Sequence, residues 1–337
     1  MQRFAIALCL GFCLMQGCGD DDGPPLGPAS ETVWQLTTSP ASDAGPQWSP
    51  DGTQIAFWSD RSGNGDIWVI PATGGEATQI TAHHLFDDYP QWSPYGDKLA
   101  FVSKRSGNED IWVVSATGGN ARQLTRDPAS DREPRWSPDG TRIAFWSRRS
   151  GRGDIWVIPE AGGDEEQLTF SNRQDGVPVW SPDGNWIAFW SYRSENLDIW
   201  VIPATGGEAT QLTAHPAGDQ EPRWSPDGNT IAFWSTRSGN ADIWTIPATG
   251  GEVVQLTSDT ASDVAPQWSP DGSRIAFVSH RSGNDDIWMV PATGGEAIQI
   301  TSGPARDAAP QWSPDGTMIA FWSDRSGNGD IWIASVD

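Results

Sequence analysis

From Pro46 onward the chain alternates short apolar runs with short breaks rich in Gly, Pro and Asp. In the first such stretch, Ile55-Ala56-Phe57-Trp58-Ser59 and Asp66-Ile67-Trp68-Val69-Ile70 are β-branched and aromatic. Their apolar residues follow one another instead of alternating with polar ones, which predicts strands covered on both faces. Ser49-Pro50-Asp51-Gly52 and Ala72-Thr73-Gly74-Gly75 predict turns, because Pro presets φ and Gly accepts a positive φ. Arg61 to Gly65 predicts a loop. Gln47-Trp48-Ser49, entered through Pro46, predicts a short first strand, and Glu76 to Thr81 a fourth. The unit is therefore a four-stranded antiparallel sheet. It recurs seven times at a constant spacing of 44 residues, with its opening tryptophan at Trp48, Trp92, Trp136, Trp180, Trp224, Trp268 and Trp312.

A fixed period in the forties with four strands per unit predicts an all-β, seven-bladed β-propeller, each blade covered by its neighbours. The last copy ends at Asp337 after its third strand. The fourth is supplied from the other end: Thr37 of Trp34-Gln35-Leu36-Thr37 stands 44 residues before the fourth-strand Thr81. An N-terminal strand in the last blade removes the open edges of the ring. The expected organisation is a signal peptide over 1–17, a tether over 18–30 and one propeller over 31–337. The repeat overrides the two-domain expectation that 337 residues would otherwise raise.

Pro-x-Trp-Ser-Pro-Asp-Gly, Ile-Ala-Phe, Arg-Ser-Gly, Asp-Ile-Trp and Gln-Leu-Thr, repeated through about nine-tenths of the chain, resemble the TolB-like (WD-repeat-like) β-propeller repeat. The resemblance implies a platform for protein partners in the bacterial envelope. The chain differs from TolB itself: it has seven repeats where TolB has six blades, and it lacks the α/β domain that precedes that propeller. TolB's own partners are therefore not carried over. Peptidases of this kind append an α/β-hydrolase domain, and no Gly-x-Ser-x-Gly elbow occurs here.

Charge narrows the partners. A formal net charge of −23 argues against nucleic acid and against an anionic membrane surface. The 21 tryptophans are accounted for mostly as packing between blades. Arg3 followed by the apolar run Phe4 to Met15 reads as a secretory signal too short to span a bilayer. Met15-Gln16-Gly17-Cys18 resembles a bacterial lipobox, which makes Cys18 the lipidation site and new N-terminus. Cys9 and Cys13 leave with the signal, so the mature chain has a single cysteine and no internal disulfide. Gly19 to Ser30 is acidic and rich in Pro and Gly, a tether reaching roughly 40 Å when extended. Gly19, in place of the Asp that signals inner-membrane retention in enteric bacteria, favours the outer membrane. The expected protein is a monomer in the envelope, on the periplasmic or surface face of the outer membrane, bound to the membrane only through its lipid.

Comparison of the seven copies locates the variable surface. The turns between first and second and between third and fourth strands scarcely change; that face is the bottom. The connections between blades and the loops between second and third strands vary, and they share the top. Variation on one face suggests recognition there, although exposed loops also drift freely. Within the variable connections one acid recurs in every copy: Asp43, Asp87, Asp131, Asp175, Asp219, Asp263 and Asp307. Lying just before the innermost strand, these are expected to ring the channel mouth. The loop arginines, Arg61 to Arg325, and the third-strand acids, Asp66 to Asp330, also recur on that face. Pairing of Asp with Arg balances the ring internally. The functional alternative is carboxylates left for a basic segment or for Ca²⁺, with partial exposure expected near Asp87, beside Asp88, His83 and His84.

Catalysis needs different groups in different roles, and near-identical blades present one group seven times. His83, His84, His215 and His280 form neither a His-x-x-x-His pair nor a His-Glu-x-x-His motif. No catalytic residue, metal site or cofactor is therefore assigned. The expectation is a non-enzymatic scaffold binding an envelope protein or peptide. Alternatives are a polysaccharide lyase or hydrolase built on the same ring, and a purely structural envelope protein.

Overall fold

In the computed structural model, residues 33–336 are described, and all their regular elements are strands. The expected signal peptide and tether, with Cys18, lie outside these residues. Blade 1 consists of β2 (Asp43–Trp48), β3 (Gln54–Ser59), β4 (Asp66–Pro71) and β5 (Thr78–Gln79), hydrogen-bonded in that order. The strands from β6 (Asp87–Trp92) to β25 (Ile298–Gln299) repeat it in five further blades. Blade 7 is β26 (Asp307–Trp312), β27 (Met318–Ser323) and β28 (Asp330–Ser335), completed by β1 (Val33–Gln35). β1 pairs antiparallel with β28, Val33 opposite Ala334 and Gln35 opposite Trp332, so the ring closes as the period predicts.

Two boundaries differ from expectation. The first strand is longer, beginning at Asp43, because it contains a bulge: pairing with β3 is interrupted between Ala44 and Gln47. The residue in each bulge has positive φ, from Gly45 through Tyr89, Glu133, Val177, Glu221 and Ala265 to Ala309. Only the first is glycine, so six side-chain-bearing residues hold a left-handed conformation that local preference disfavours. The fourth strand is shorter, Thr78–Gln79 in blade 1, because the outermost strand has a partner on one side only.

The core lies between blades. Trp48, Ile55, Phe57 and Ile70 meet Leu36, Ala320, Ile331 and Ile333 of the preceding blade in one buried cluster. Equivalent clusters fill the other interfaces, and Phe57, Phe101, Phe145, Phe189, Phe233, Phe277 and Phe321 are wholly buried. Each opening tryptophan also ties its blade to the one before. Trp92 Nε1 donates to the Gln47 carbonyl at 3.0 Å, and Trp48 Nε1 donates to the Gln311 carbonyl at 3.0 Å across the closure. On the bottom, Gly52 sits at φ +72° against Pro314 of the neighbouring turn. That contact repeats with little change around the ring and explains why the bottom turns vary so little.

Candidate functional site: the top face and channel mouth

Three strands of each blade end together at the top. In blade 1, Asp43 of β2 stands opposite Ser59 of β3, and Ser59 opposite Asp66 of β4. Arg61, two residues beyond Ser59, folds back over them. Its Nη2 lies 2.6 Å from Asp43 Oδ2, its Nε donates to Ser59 Oγ at 2.8 Å, and its guanidinium lies 5.1 Å from the Phe57 ring and 4.9 Å from Trp68. The arrangement recurs in every blade as Arg105–Asp87, Arg149–Asp131, Arg193–Asp175, Arg237–Asp219, Arg281–Asp263 and Arg325–Asp307.

This corrects one expectation. The seven carboxylates do not line an accessible mouth: each is wholly buried and turned to the arginine of its own blade. Asp87, expected to be partly exposed, is 0% exposed like the rest. Burial pushes the Asp87, Asp131 and Asp175 carboxyls up, against the downward pull of a serine hydroxyl and the guanidinium. The physical reason is reach: an arginine eighteen residues later lands on the carboxylate before any ligand can.

The third-strand acids are equally engaged. Asp66 accepts from Ser62 Oγ at 2.6 Å, Gln79 Nε2 at 3.1 Å and Thr81 Oγ1 at 3.4 Å. The repeated Arg-Ser-Gly, Asp-Ile-Trp and Gln-Leu-Thr segments are thus one hydrogen-bonded cap. The histidines are loop groups. His83 Nδ1 accepts from the Leu85 N–H at 3.1 Å and His215 Nδ1 from the Ala217 N–H at 3.1 Å, as Asp127 does from Ala129. His280 Nδ1 lies 3.0 Å from Asp285 Oδ1.

What does meet across the ring is specific to individual blades and, apart from Asp88, was not singled out from sequence. The bulge and the residues beside it bring in Asp88 and Tyr89, Glu133 and Arg135, and Glu221 and Arg223. Asp88 Oδ1 accepts from the Tyr89 N–H at 2.7 Å, and Glu133 Oε2 accepts from the Val177 N–H of the next blade at 3.0 Å. Acid side chains thereby satisfy backbone groups that the bulge frees. Burial, then the charge of Arg223, push Arg135 down to about 10, against the pull of Glu133; burial lowers Arg223 as well. Burial raises the Glu133 and Asp88 carboxyls. The next-to-last position of each second strand carries an indole in five blades, Trp58, Trp146, Trp190, Trp234 and Trp322, and Val102 or Val278 in the other two. Leu85, Phe86, Tyr89, Phe170 and Tyr192 are exposed on the top face, while Tyr95, Trp186, Val254 and Ile298 are exposed elsewhere; Phe86 packs on Trp58 at 5.8 Å between ring centroids. Comparing the seven copies at the positions just after each ring Asp is the signal that finds the channel residues.

The molecule is thus a closed seven-bladed propeller with an irregular channel mouth and a polar cap of buried Asp–Arg pairs, in which Oδ1 of Asp43, Asp87, Asp131, Asp263 and Asp307 has no hydrogen-bond partner. Residues 106–197 and 196–285 match the Tricorn protease N-terminal β-propeller domain, and residues 257–337 match the TolB β-propeller domain. Over residues 106–285, rather more than half of its length, the chain belongs to the family of the Tricorn protease N-terminal β-propeller domain, and over its last blades it is similar to the TolB β-propeller domain. Among solved structures it is similar to a putative TolB from Agrobacterium tumefaciens, with 22% identity over 78% of this chain and 94% of that one and a TM-score of 0.57. An oligogalacturonate lyase in complex with manganese matches at 18% identity, 92% and 95% coverage and a TM-score of 0.78. The β-propeller domain of the Trilobed protease from Pyrococcus furiosus, described as having an open velcro topology, matches at 14% identity, 88% and 94% coverage and a TM-score of 0.67. These likenesses show the fold alone; unlike the open ring of the Trilobed protease propeller, the present ring is closed by β1.

Proposed function

We propose that the protein is a non-enzymatic scaffold of the bacterial cell envelope, held to the membrane through Cys18 and binding a protein partner on its top face. One observation carries this reading: Leu85, Phe86, Tyr89, Phe170 and Tyr192 are exposed on the top-face side of blades 1–4, around a mouth whose charges differ from blade to blade. Exposed aromatic anchors beside a polar rim suit a protein interface. Further support comes from the recurring acids, each of which is buried and paired with the arginine of its own blade. Affinity capture from the native envelope tests it. Phe86→Ala with Tyr89→Ala should lose the partner, while Tyr95→Ala on the bottom keeps it. Equal capture by all three proteins would remove the top face from consideration.

The anchor has its own test. Cys18→Ser should leave a soluble protein in place of a membrane-bound one. A single acyl chain binds only marginally, so stable attachment needs the several chains of a bacterial lipoprotein. A variant that still sediments with membranes after signal cleavage would overturn lipidation at Cys18.

A second reading rests on Arg135 and Arg223. Two guanidiniums sharing a buried channel beside Tyr89 suit a carboxylated saccharide, and an oligogalacturonate lyase has the same fold. Release of unsaturated products from acidic polysaccharides would favour that reading.

A further inference from the structure

The bottom of the ring carries one irregularity that the top-face reading does not use. The second strand of a blade opens with a long side chain in six copies: Gln54, Lys98, Arg142, Trp186, Arg274 and Met318. In blade 5 the residue is Thr230. In blades 2 and 3 the long side chain lies across the seam to the next blade. Arg142 places its guanidinium 4.9 Å from the Trp180 ring, and its Nη1 donates to the Ala204 carbonyl at 2.8 Å. One seam earlier, Glu160 occupies the position of Ala204. There Arg122, from the fourth strand, donates to the Glu160 carbonyl at 2.6 Å, and Lys98 Nζ lies 3.1 Å from its carboxylate. At two seams, then, the same backbone carbonyl is capped by an arginine of the chain itself.

Between blades 5 and 6 both arginine-bearing positions are short. Thr230 stands where blade 3 has Arg142, and Val254 where blade 2 has Arg122. What remains is a groove of about 700 Å³, walled by Trp268 and Ala292, the counterparts of Trp180 and Ala204. Trp180 under its arginine is 7% exposed and Ala204 2%, whereas Trp268 and Ala292 are both half-buried. Asp227, Asp271 and Glu252 stand around the opening. Serine hydroxyls and backbone N–H groups hold the Asp227 and Asp271 carboxyls low, that of Asp271 at about 2, so both are charged at neutral pH. Arg274 lies beside Asp271 and partly offsets it.

We propose that this groove binds the side chain of an arginine in a partner polypeptide, in the pose that Arg142 adopts two blades earlier. A planar guanidinium stacks on an indole face and donates in plane to a carbonyl; an ammonium cannot do both. The surrounding carboxylates add charge complementarity, and the net charge of −23 steers a basic segment toward the ring. The site is separate from the top face, and its partner need not be the same one.

The test uses the peptide acetyl-Gly-Gly-Arg-Gly-Gly-amide and its citrulline analogue, which has the same shape without the charge. Binding is followed by calorimetry and by the indole N–H signals of the tryptophans. The wild type should bind one arginine peptide, and the citrulline peptide at least about tenfold more weakly. Thr230→Arg should fill the groove with the chain's own arginine, abolishing binding with no loss of melting temperature. Arg142→Thr should open the corresponding groove over Trp180 and raise the stoichiometry from one to two. Undiminished binding by Thr230→Arg, equal affinity for citrulline, or no saturable binding at millimolar peptide would each overturn the proposal.

Discussion

Deleting residues 31–37 should leave a protein that barely folds. The segment carries β1, whose backbone pairs with β28 and continues as the Leu36 and Thr37 N–H groups donating to the Ile331 carbonyl at 2.9 and 3.2 Å. Its side chains matter as much. Leu36 is 5% exposed in the cluster joining blades 7 and 1, and Trp34 packs against it. Removing the buried Leu36 side chain costs about 2–5 kcal/mol at most sites, and losing the partly buried Trp34 adds to that. Thr37 Oγ1 donates to Asp330 Oδ1 at 3.2 Å and accepts from the Ile331 N–H at 2.9 Å, while Gln35 Nε2 donates to Asp330 Oδ2 at 3.0 Å. Without them a buried carboxyl that burial already pushes up loses two of its partners. The sum approaches the roughly 5–15 kcal/mol that holds a typical domain together. The freed edge of β28 is also a template for another chain. Urea unfolding and size-exclusion chromatography should report a collapse of stability together with oligomers. A stable, monomeric deletion variant would mean that the ring holds without its N-terminal strand.

The repeat made the fold and its closure readable, because a constant 44-residue spacing leaves no freedom in where a blade begins. Strand boundaries were less readable. Nothing in Glu133 or Val177 announces a left-handed bulge, which tertiary pairing imposes against local preference. Repetition also misdirected the reading of the site. A residue that recurs in every copy is as consistent with a buried structural network as with a binding ring, and Asp43 through Asp307 belong to the first. The serine two residues before each loop arginine, Ser59 in blade 1, recurs just as faithfully and was the sign that the acid had a partner in its own sheet. The informative positions were those where a copy departs from the others: Tyr89, Glu133, Arg135 and Arg223 at the channel, and Thr230 at the seam.

Arg193→Ala should destabilise the propeller by about 3–5 kcal/mol, the usual result of removing one partner of a buried ion pair. Asp175 is wholly buried, accepts from Arg193 Nη2 at 2.6 Å and from Ser191 Oγ at 2.5 Å, and depends on the guanidinium for its countercharge. The same guanidinium lies 5.3 Å from the Phe189 ring and 4.6 Å from Trp200, so packing is lost along with charge. The two contributions separate by pH. Burial already pushes the Asp175 carboxyl up against the pull of Arg193, and without the arginine it rises further. A carboxyl raised in the folded state is protonated there before it is in the unfolded chain. Its penalty is therefore absent below the ordinary carboxylate range and grows as pH rises through the folded value. The gap in stability between wild type and Arg193→Ala should accordingly narrow towards pH 4 and be full at pH 8. A gap independent of pH would assign the loss to the Phe189–Trp200 sandwich instead. Replacing both partners, Asp175→Asn with Arg193→Gln, removes the charges together and should cost less than Arg193→Ala alone at pH 8. If the double variant is the less stable of the two, the carboxylate was not the source of the penalty.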